Sequence, residues 1–561
     1  PASESDYSTA NDGYRKLAVV TNVAATENLS DKVTVTWSDI TGETGYTIWR
    51  HTADVSGSAS IVGTAAVNAV TYDDTSASAD QDYYYWVRAT NSTSASMGDF
   101  SASDYGYRIL TEPTNAASAI TFSALAPNSY TVGWTRGDGA SVLVVARQGS
   151  APSDPTDSTV YTANAAFGSG DQTAAGSYVV YKGSGTSVPV TGLSPETEYY
   201  FAVYEFNGST TPNYRTSDEP VSNRYTLATE PATQASSITI GGTNQVTLTG
   251  INWTDGNGAS RLVVMKAGSA VDSFPVDGTG YTASTNFGTG TQLGTSNYVV
   301  FAGSGPIGAI SSLSRDTVYY IRVFEFNGSG STANYFTNSA SGNPVSQTTV
   351  AADPGTPVAS NLSASPLGTN TATLNWTPGD GTYALVVMKA DTSGVSDPSD
   401  QTTYTANAAF GSGDPTGAGS YVVYKGSGTS VPVTGLDPGR QYYFAVYMFN
   451  GSSSGAENYR TSDEPKTNFY TLMPEPATQA SGITFGTLGE TSYAVSFTAG
   501  NGLSRLVVAK SNSAVTFLPT DGTAYAGENN NFGSAADLGG GNYLVHRGTS
   551  PFTLSGLTTQ T

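Results

Sequence analysis

The feature that most limits the fold of this chain is long internal repetition. The segment Tyr161–Asp171, YTANAAFGSGD, returns unchanged at Tyr404–Asp414, and Ser177–Leu193 returns unchanged at Ser420–Leu436. A looser pair, EPATQASSI and EPATQASGI, has nearly the same spacing. Self-similarity at a fixed period is typical of arrays of similar units. The chain is therefore interpreted as a row of domains in alternating order, with two domains in each repeat.

Every unit contains the same series of strand signals. A strand with alternating apolar residues ends in an aromatic residue, which is in turn Trp37, Trp134, Trp253, Trp376 and Phe497. A Gly-rich turn and a block such as VLVVAR follow, and later a Leu precedes a Tyr that opens an aromatic strand, as at Leu193 and Tyr199 or Leu436 and Tyr442. Period-two alternation between turn residues indicates strands. The patterns predict an all-β chain in which no domain has an α-helix longer than about two turns.

The Trp strand, the block GYTIW at Gly45–Trp49 and the Leu-to-Tyr spacing together resemble the fibronectin type III family. The resemblance implies tandem immunoglobulin-like antiparallel β-sandwiches in an extended array, each with a tyrosine corner whose hydroxyl bonds back to the chain. The later units look like an enlarged variant common in secreted and surface proteins of bacteria. Their extra residues lie between the VLVVAR-type block and the aromatic strand and include YTANAAFGSG.

The repeats also predict the domain boundaries. Residues 1–16 are interpreted as the last strand of a preceding domain, because Asp6–Leu17 aligns without gaps with Asp99–Leu110. A plain fibronectin type III-like domain is expected over 17–110. Enlarged domains are expected to follow over 111–227, 228–350 and 351–472, with an incomplete enlarged domain over 473–561. The sequence stops before the last aromatic strand, so we interpret it as a segment of a longer protein.

Composition excludes some classes of partner. The net charge of −22 would repel the phosphates of a nucleic acid and does not suit a basic membrane-binding patch. No apolar run approaches the ~20 residues of a transmembrane helix, so no membrane insertion is expected in this segment. Because the chain has no cysteine, disulfides and thiolate chemistry are excluded.

Residues able to perform chemistry are few. The two histidines, His51 and His546, lie in different domains, and neither has a second His or a carboxylate at ligand spacing. Hydrolytic or redox chemistry needs a positioned base, nucleophile or metal. The sequence therefore predicts no catalytic, cofactor-binding or metal residues and no enzymatic activity. The Asp-Pro-x-Asp segments Asp154–Asp157 and Asp397–Asp400 leave calcium as an alternative, although an Asx turn is the preferred interpretation.

Two short motifs have both a structural and a functional interpretation. Arg136–Asp138 spells the integrin-type tripeptide RGD, but the other enlarged domains keep only Gly followed by Asp or Asn, as a tight turn requires. The triplets Asn-Gly-Ser at Asn207, Asn327 and Asn450 match the glycosylation pattern and are also hairpin-turn sequences. The turn interpretation is preferred for the RGD tripeptide, and glycosylation stays open.

The aromatic strand is the most unusual element. Its two faces carry, respectively, Tyr199, Phe201 and Val203, and Tyr200, Tyr204 and Phe206. An ordinary half-exposed strand alternates apolar with polar residues. An outer aromatic row would suit sugar stacking or assembly. The preferred prediction is that the enlargement folds over this face as a cover and buries aromatic residues such as Phe167.

Two further expectations concern packing. The aromatic residues that end the second strands should be almost inaccessible. A β-bulge is expected at Thr249–Gly250, because Leu248 and Trp253 have opposite parity although both belong to the apolar face.

These observations favour a non-catalytic structural protein, located outside the cell or on its surface, that forms a segment of a stalk, fibre or filament. Its expected partners are neighbouring copies of itself. Two alternatives stay open: an adhesin or glycan-binding array, whose partners would be glycans, and the spacer region of a large secreted hydrolase.

Overall fold

The computed structural model describes residues 16–92 and 96–558, and strands dominate this part of the chain. Its only helical elements are single 3₁₀ turns at Ser56–Ser58, Gly330–Thr332 and Phe532–Ser534. The prediction of an all-β chain without long α-helices is confirmed for these residues. The strand expected in residues 1–16 lies outside the described residues apart from Lys16.

The first sandwich packs a three-stranded sheet against a five-stranded one. The small sheet consists of Ala24–Ala25, Val33–Thr36 and Thr71–Asp74. The large sheet consists of Ser60–Ala66, Gly45–His51, Tyr83–Asn91, Ser96–Met97 and Asp104–Gly106.

Three enlarged sandwiches follow, each with a three-stranded and a six-stranded antiparallel sheet. The second has Ser118–Ser123, Tyr130–Thr135 and Ser187–Val190 against Gln172–Ala174, Ser177–Gly183, Ser141–Gln148, Glu198–Asn207, Asn213–Tyr214 and Val221–Tyr225. The third has Ser236–Thr243, Leu248–Thr254 and Ile307–Ile310 against Gln292–Leu293, Asn297–Gly303, Ser260–Ala267, Val318–Asn327, Asn334–Phe336 and Val345–Thr348. The fourth has Ser360–Leu367, Ala372–Thr377 and Ser430–Val433 against Pro415–Gly417, Ser420–Gly426, Tyr383–Ala390, Gln441–Asn450, Asn458–Tyr459 and Lys466–Tyr470.

The fifth sandwich has two three-stranded sheets. They consist of Ser481–Leu488, Tyr493–Thr498 and Phe552–Leu554, and of Ala536–Asp537, Tyr543–Arg547 and Leu506–Ala509. In all five sandwiches the second strand lies between the first strand and a later one, while the third-strand block starts the opposite sheet. This division of strands is that of an immunoglobulin-like, fibronectin type III-like sandwich, and the predicted fold class is confirmed.

The inner core lies between the two sheets of each sandwich. The second-strand tryptophans are 4–8% exposed. In the second sandwich the ring of Trp134 packs 5.3 Å from that of Tyr181. The expectation of burial is confirmed for the four tryptophans and wrong for Phe497, which is only half-buried. In the described residues of the fifth sandwich no aromatic strand flanks Leu506–Ala509, so an apolar cleft of about 500 Å³ opens beside Val495 and Phe552.

A second, outer core explains the aromatic strand. The outward residues Tyr204 and Phe206 pack with Leu143, Tyr161 and Tyr214, all buried. The third and fourth sandwiches have matching outer cores. The prediction of a cover is therefore confirmed, because Tyr161 belongs to the enlargement. Phe167 behaves differently from the expectation: it is half-buried against the inner core, with its ring 4.9 Å from that of Tyr199.

Both cores are fixed by tyrosine corners. The hydroxyl of Tyr199 accepts a hydrogen bond of 3.0 Å from the backbone N–H of Ser194. The hydroxyl of Tyr161 accepts one of 3.0 Å from Thr156 in the same manner. Every enlarged sandwich has the second corner, since Val276 N–H, Ser399 N–H and Thr520 N–H donate to Tyr281, Tyr404 and Tyr525. The predicted corner is thus joined by one inside the cover that the sequence analysis did not identify.

The bulge predicted at Thr249–Gly250 is wrong. The strand Leu248–Thr254 keeps one register with both of its neighbours across this position. Leu248 and Trp253 nevertheless both point inward and are buried. Gly250 restores the inward face by adopting a left-handed backbone, with φ +61°. That register places Gly241 and Gly308 opposite it on the two neighbouring strands, so the turn of the backbone meets no side chain on either side.

We expect Tyr161→Ala to open the outer layer and leave the inner core intact. Loss of the ring leaves a cavity under the cover, and comparable changes destabilise by about 3–5 kcal/mol. Tyr161→Phe removes only one hydrogen bond and should cost about 1 kcal/mol. Hydrogen exchange of the full chain should show faster exchange in residues 162–171 and unchanged exchange in Tyr130–Thr135. Equal acceleration of both regions would show that the two cores are not independent.

Candidate functional site: the junctions between sandwiches

The RGD tripeptide is locked into its own sandwich. Arg136 Nε and Nη2 each donate to the carboxylate of Glu205 at 2.9 Å, and the N–H of Gly137 donates to it at 2.7 Å. Glu205 is 1% exposed, and its hydrogen bond to Arg136 raises the pKa of the guanidinium. Asp138 accepts from the backbone and side chain of Asn115. Both charged side chains are therefore engaged in holding the turn.

The related sandwiches vary this pair as a unit. In the third sandwich Glu325 is also buried, and Arg261, from a different strand, donates to it at 2.8 Å. In the fourth sandwich the acid is replaced by the buried Met448, and the arginine by Pro378. A buried charge without its partner is strongly destabilising, which explains why both members change together.

The Asp-Pro-x-Asp segments fasten the cover to the sheet. Tyr204 donates from its hydroxyl to Asp154 at 3.0 Å, and the N–H of Tyr214 donates to Asp157 at 2.8 Å. Burial, followed by the charge of Asp154, raises the pKa of Tyr204. The third sandwich has Phe274 and Phe324 in place of the first pair, with their rings 5.8 Å apart. The same contact thus forms with or without a carboxylate, which is a structural role, and calcium stays an untested alternative.

The histidines also have structural surroundings. His51 Nδ1 lies 3.1 Å from the carbonyl oxygen of Ala53. His546 occupies the position that Tyr181 has in the second sandwich, and its ring stacks 4.2 Å from that of Phe552. In the described part of the chain, no three His, Cys, Asp or Glu side chains form a group able to hold a metal ion. In the same residues, no helix has the length and apolar character needed to cross a membrane.

One buried polar cluster was missed by the sequence analysis. In the first sandwich Asp74 is fully buried, and it accepts hydrogen bonds from Arg50 Nη1 at 2.6 Å and from the hydroxyl of Tyr85 at 3.0 Å. Ser76 donates two more bonds. Burial raises the pKa of Asp74, but these donors lower it by more, so the pKa lies below its ordinary value. Every oxygen is satisfied, and the cluster stabilises the edge of the sandwich.

A further set of polar residues recurs at the junctions between sandwiches. In the second sandwich, Asn207 Nδ2 donates to Thr111 O and Asn213 Nδ2 donates to Leu110 O, both at 2.8 Å. Leu110 and Thr111 form the linker from the first sandwich. Asn207 Oδ1 also accepts from Ala140 N–H, so its amide joins the linker to the body of its own sandwich.

The same pair of hydrogen bonds, from two asparagine side chains to two consecutive linker carbonyls, recurs at the next two junctions. Asn327 and Asn334 donate to Thr229 and Ala228 at 2.7 and 2.8 Å, and Asn450 and Asn458 donate to Ala352 and Ala351 at 3.1 and 2.9 Å. The second asparagine of each clamp is almost wholly buried. We call these pairs the asparagine clamps. From the sequence, Asn207, Asn327 and Asn450 were interpreted only as turn or glycosylation residues. The signal that identifies the clamps is the recurrence of Asn-Gly-Ser followed by Asn-Tyr.

The comparisons with known proteins concern the fold. No protein-family model matches the chain, and no curated protein matches its sequence. The chain is similar to a segment of two fibronectin type III domains from chicken tenascin, at 15% identity over 37% of this chain and 99% of that one, with a TM-score of 0.23. It is also similar to the FN1–FN3 domains of chicken CNTN1, at 15% identity over 64% and 100%, with a TM-score of 0.22. The fold assignment rests on the strand order of the two sheets.

We expect Asp154→Ala to destabilise the second sandwich by about 1–3 kcal/mol, because the buried hydroxyl of Tyr204 loses its acceptor. The double variant Asp154→Phe with Tyr204→Phe installs the pair present in the third sandwich and should be close to neutral. Hydrogen exchange of Glu198–Asn207 in the full chain measures both free energies. Asp218→Ala, at an exposed ion pair, is the control and should change stability by less than about 0.5 kcal/mol. If the double variant is destabilised as strongly as Asp154→Ala, the interpretation is wrong.

Proposed function

We propose that this chain is a non-catalytic structural spacer, located outside the cell or on its surface, that forms part of a stalk, fibre or filament. The observation that carries the proposal is the asparagine clamp, repeated at three successive junctions. A linker whose consecutive carbonyls are both bonded to the following sandwich has little freedom to swing. The same clamp at each junction sets a similar step from one sandwich to the next, as a regular fibre requires.

The aromatic faces and the RGD tripeptide, which would suit an adhesin, also support the spacer role because both are engaged within their own sandwich. An adhesin would need an exposed recognition surface, but the outer aromatic faces are covered and the RGD side chains are engaged. The spacer role therefore accounts for more of the described polar contacts than a glycan-binding array does. The spacer region of a large secreted hydrolase shares this architecture and differs in what the array carries.

The proposal predicts an elongated particle. With roughly 30–40 Å added by each sandwich, the full chain should have a maximum dimension of about 150–200 Å in small-angle X-ray scattering. The double variant Asn207→Ala with Asn213→Ala should shorten the mean dimension and broaden its distribution, because the first linker is released. Asn223→Ala, which removes an exposed amide bonded to Glu198 within the same sandwich, is the matched control and should change neither quantity.

A compact particle would contradict the spacer role, as would a clamp variant with the dimensions of the native chain. Saturable binding of the full chain to immobilised glycans would favour the adhesin instead. Negative-stain microscopy of the native assembly, with an antibody to the full chain as label, tests the extracellular fibre directly. Labelling along the fibre at a regular interval supports the proposal, and labelling confined to the cell interior overturns it.

A further inference from the structure

One backbone position recurs near the end of each of the first four sandwiches. It lies three residues before the corner tyrosine of the aromatic strand and is occupied by Asp80, Glu196, Asp316 and Gly439. All four residues have a left-handed backbone, with φ between 47° and 66°. Their backbone N–H groups donate to the carbonyl that closes their own sandwich, at Arg108, Leu227, Val350 and Leu472. The backbone conformation at this position is therefore constant, while the side chain that it carries differs between junctions.

At the first junction this side chain makes a dense set of bonds across the interface. The carboxylate of Asp80 accepts from the backbone N–H groups of Ser209, Thr210 and Thr211 at 2.9, 3.1 and 3.0 Å. The hydroxyls of the same three residues also donate to it, at 2.9, 2.7 and 3.2 Å. Burial raises the pKa of Asp80, but the hydrogen bonds from these donors lower it by more. The pKa of Asp80 therefore lies well below its ordinary value.

The third junction repeats the contact. The carboxylate of Asp316 accepts from the N–H and the hydroxyl of Ser452 at 3.1 and 3.0 Å, and from the N–H of Ser453 at 3.4 Å. Asp80 and Asp316 are both half-buried. A carboxylate therefore bonds across both the first and the third junction. These junctions lead into the second and the fourth sandwich, the two that share the longest identical sequence segments.

The second junction lacks this contact. Glu196 is exposed, and among the described residues no hydrogen bond joins its carboxylate to the third sandwich. The loop that corresponds to Ser209–Thr211 is Ser329–Thr332, and its donors form hydrogen bonds within the loop itself. Ser329 N–H donates to Thr332 Oγ1 and Thr332 N–H donates to Ser329 O, both at 3.0 Å, closing the 3₁₀ turn Gly330–Thr332. Ser329 N–H is the counterpart of the Ser209 and Ser452 N–H groups that bond to Asp80 and Asp316, and here it is engaged within its own loop. The side chain and its target therefore differ together.

We propose that the array alternates between stiff and compliant joints. The first and third joints carry a carboxylate latch formed by Asp80 or Asp316, and the second is held by the asparagine clamp without a latch. The proposal deepens the spacer role and rests on it for its biological meaning. In a fibre whose every second joint is compliant, bending would occur between rigid units of two sandwiches. The stiffness of each joint is a property of the chain itself and is measured independently of that role.

The absence of cysteine makes the joints directly measurable, because introduced cysteines are the only sites that a nitroxide label attaches to. Cysteines are introduced in the full chain two at a time, at neighbouring members of the exposed series Thr52, Ser150, Ser269 and Thr392. Each pair of labels spans one joint, and electron–electron double resonance measures the distance distribution across it. The first and third pairs should give narrow distance distributions, and the second pair a broader one. Asp80→Ala should broaden the first distribution to the width of the second, and Asp316→Ala should do the same for the third.

Glu196→Ala is the matched control and should leave the second distribution unchanged. Asp80→Asn, which keeps one acceptor oxygen and the same shape, should give an intermediate width, and faster exchange of the amides of Ser209–Thr211 should accompany it. Equal widths at all three joints in the native chain would overturn the proposal, as would an Asp80→Ala distribution as narrow as the native one. These outcomes differ from failure of the spacer role, which would appear as a compact particle in scattering whatever the widths.

Discussion

The structure depends on burying one aromatic strand on both of its faces. A strand in a two-layer sandwich ordinarily has one wet face, but Glu198–Asn207 and its counterparts lie between an inner and an outer core. That arrangement places many tyrosine hydroxyls inside the protein, where each needs a partner. The two kinds of tyrosine corner and the Asp154–Tyr204 bond supply partners. The enlargement is thus a third layer with its own hydrogen-bond requirements.

The same requirement accounts for the acidic and basic residues that resemble functional sites. Arg136, Glu205 and Asp154 all lie where a chain of this fold needs a turn held or a hydroxyl satisfied. Where the repeats differ, the partners differ with them, as when Phe274 and Phe324 replace Asp154 and Tyr204. Such paired replacement within one chain separates structural polar residues from reactive ones. The proposed spacer function therefore rests on the geometry of the joints between sandwiches.

Much of the fold was predictable because strands leave a periodic signal. The repeats, the buried tryptophans and the cover over the aromatic face all follow from alternation and from comparing one copy with the next. Phe497 and Gly250 were predicted wrongly for different reasons. Phe497 lines an open cleft with Leu506 and Val508, and in the described residues of its sandwich Leu506–Ala509 is an edge strand. At Gly250 parity was read correctly, but two opposing glycines let the backbone turn in place without an inserted residue.

The sequence by itself determined the class of fold, the repetition of the units and the presence of a covering layer, because these depend on local periodicity and on apolar content. The asparagine clamps and the carboxylate latches were decided only by the tertiary structure. Their donors and acceptors are about 100 or more residues apart in the chain, as with Asn213 and Leu110 or Asp80 and Thr210. No local pattern specifies which loop will face which linker, since that depends on how one folded sandwich is set against the next.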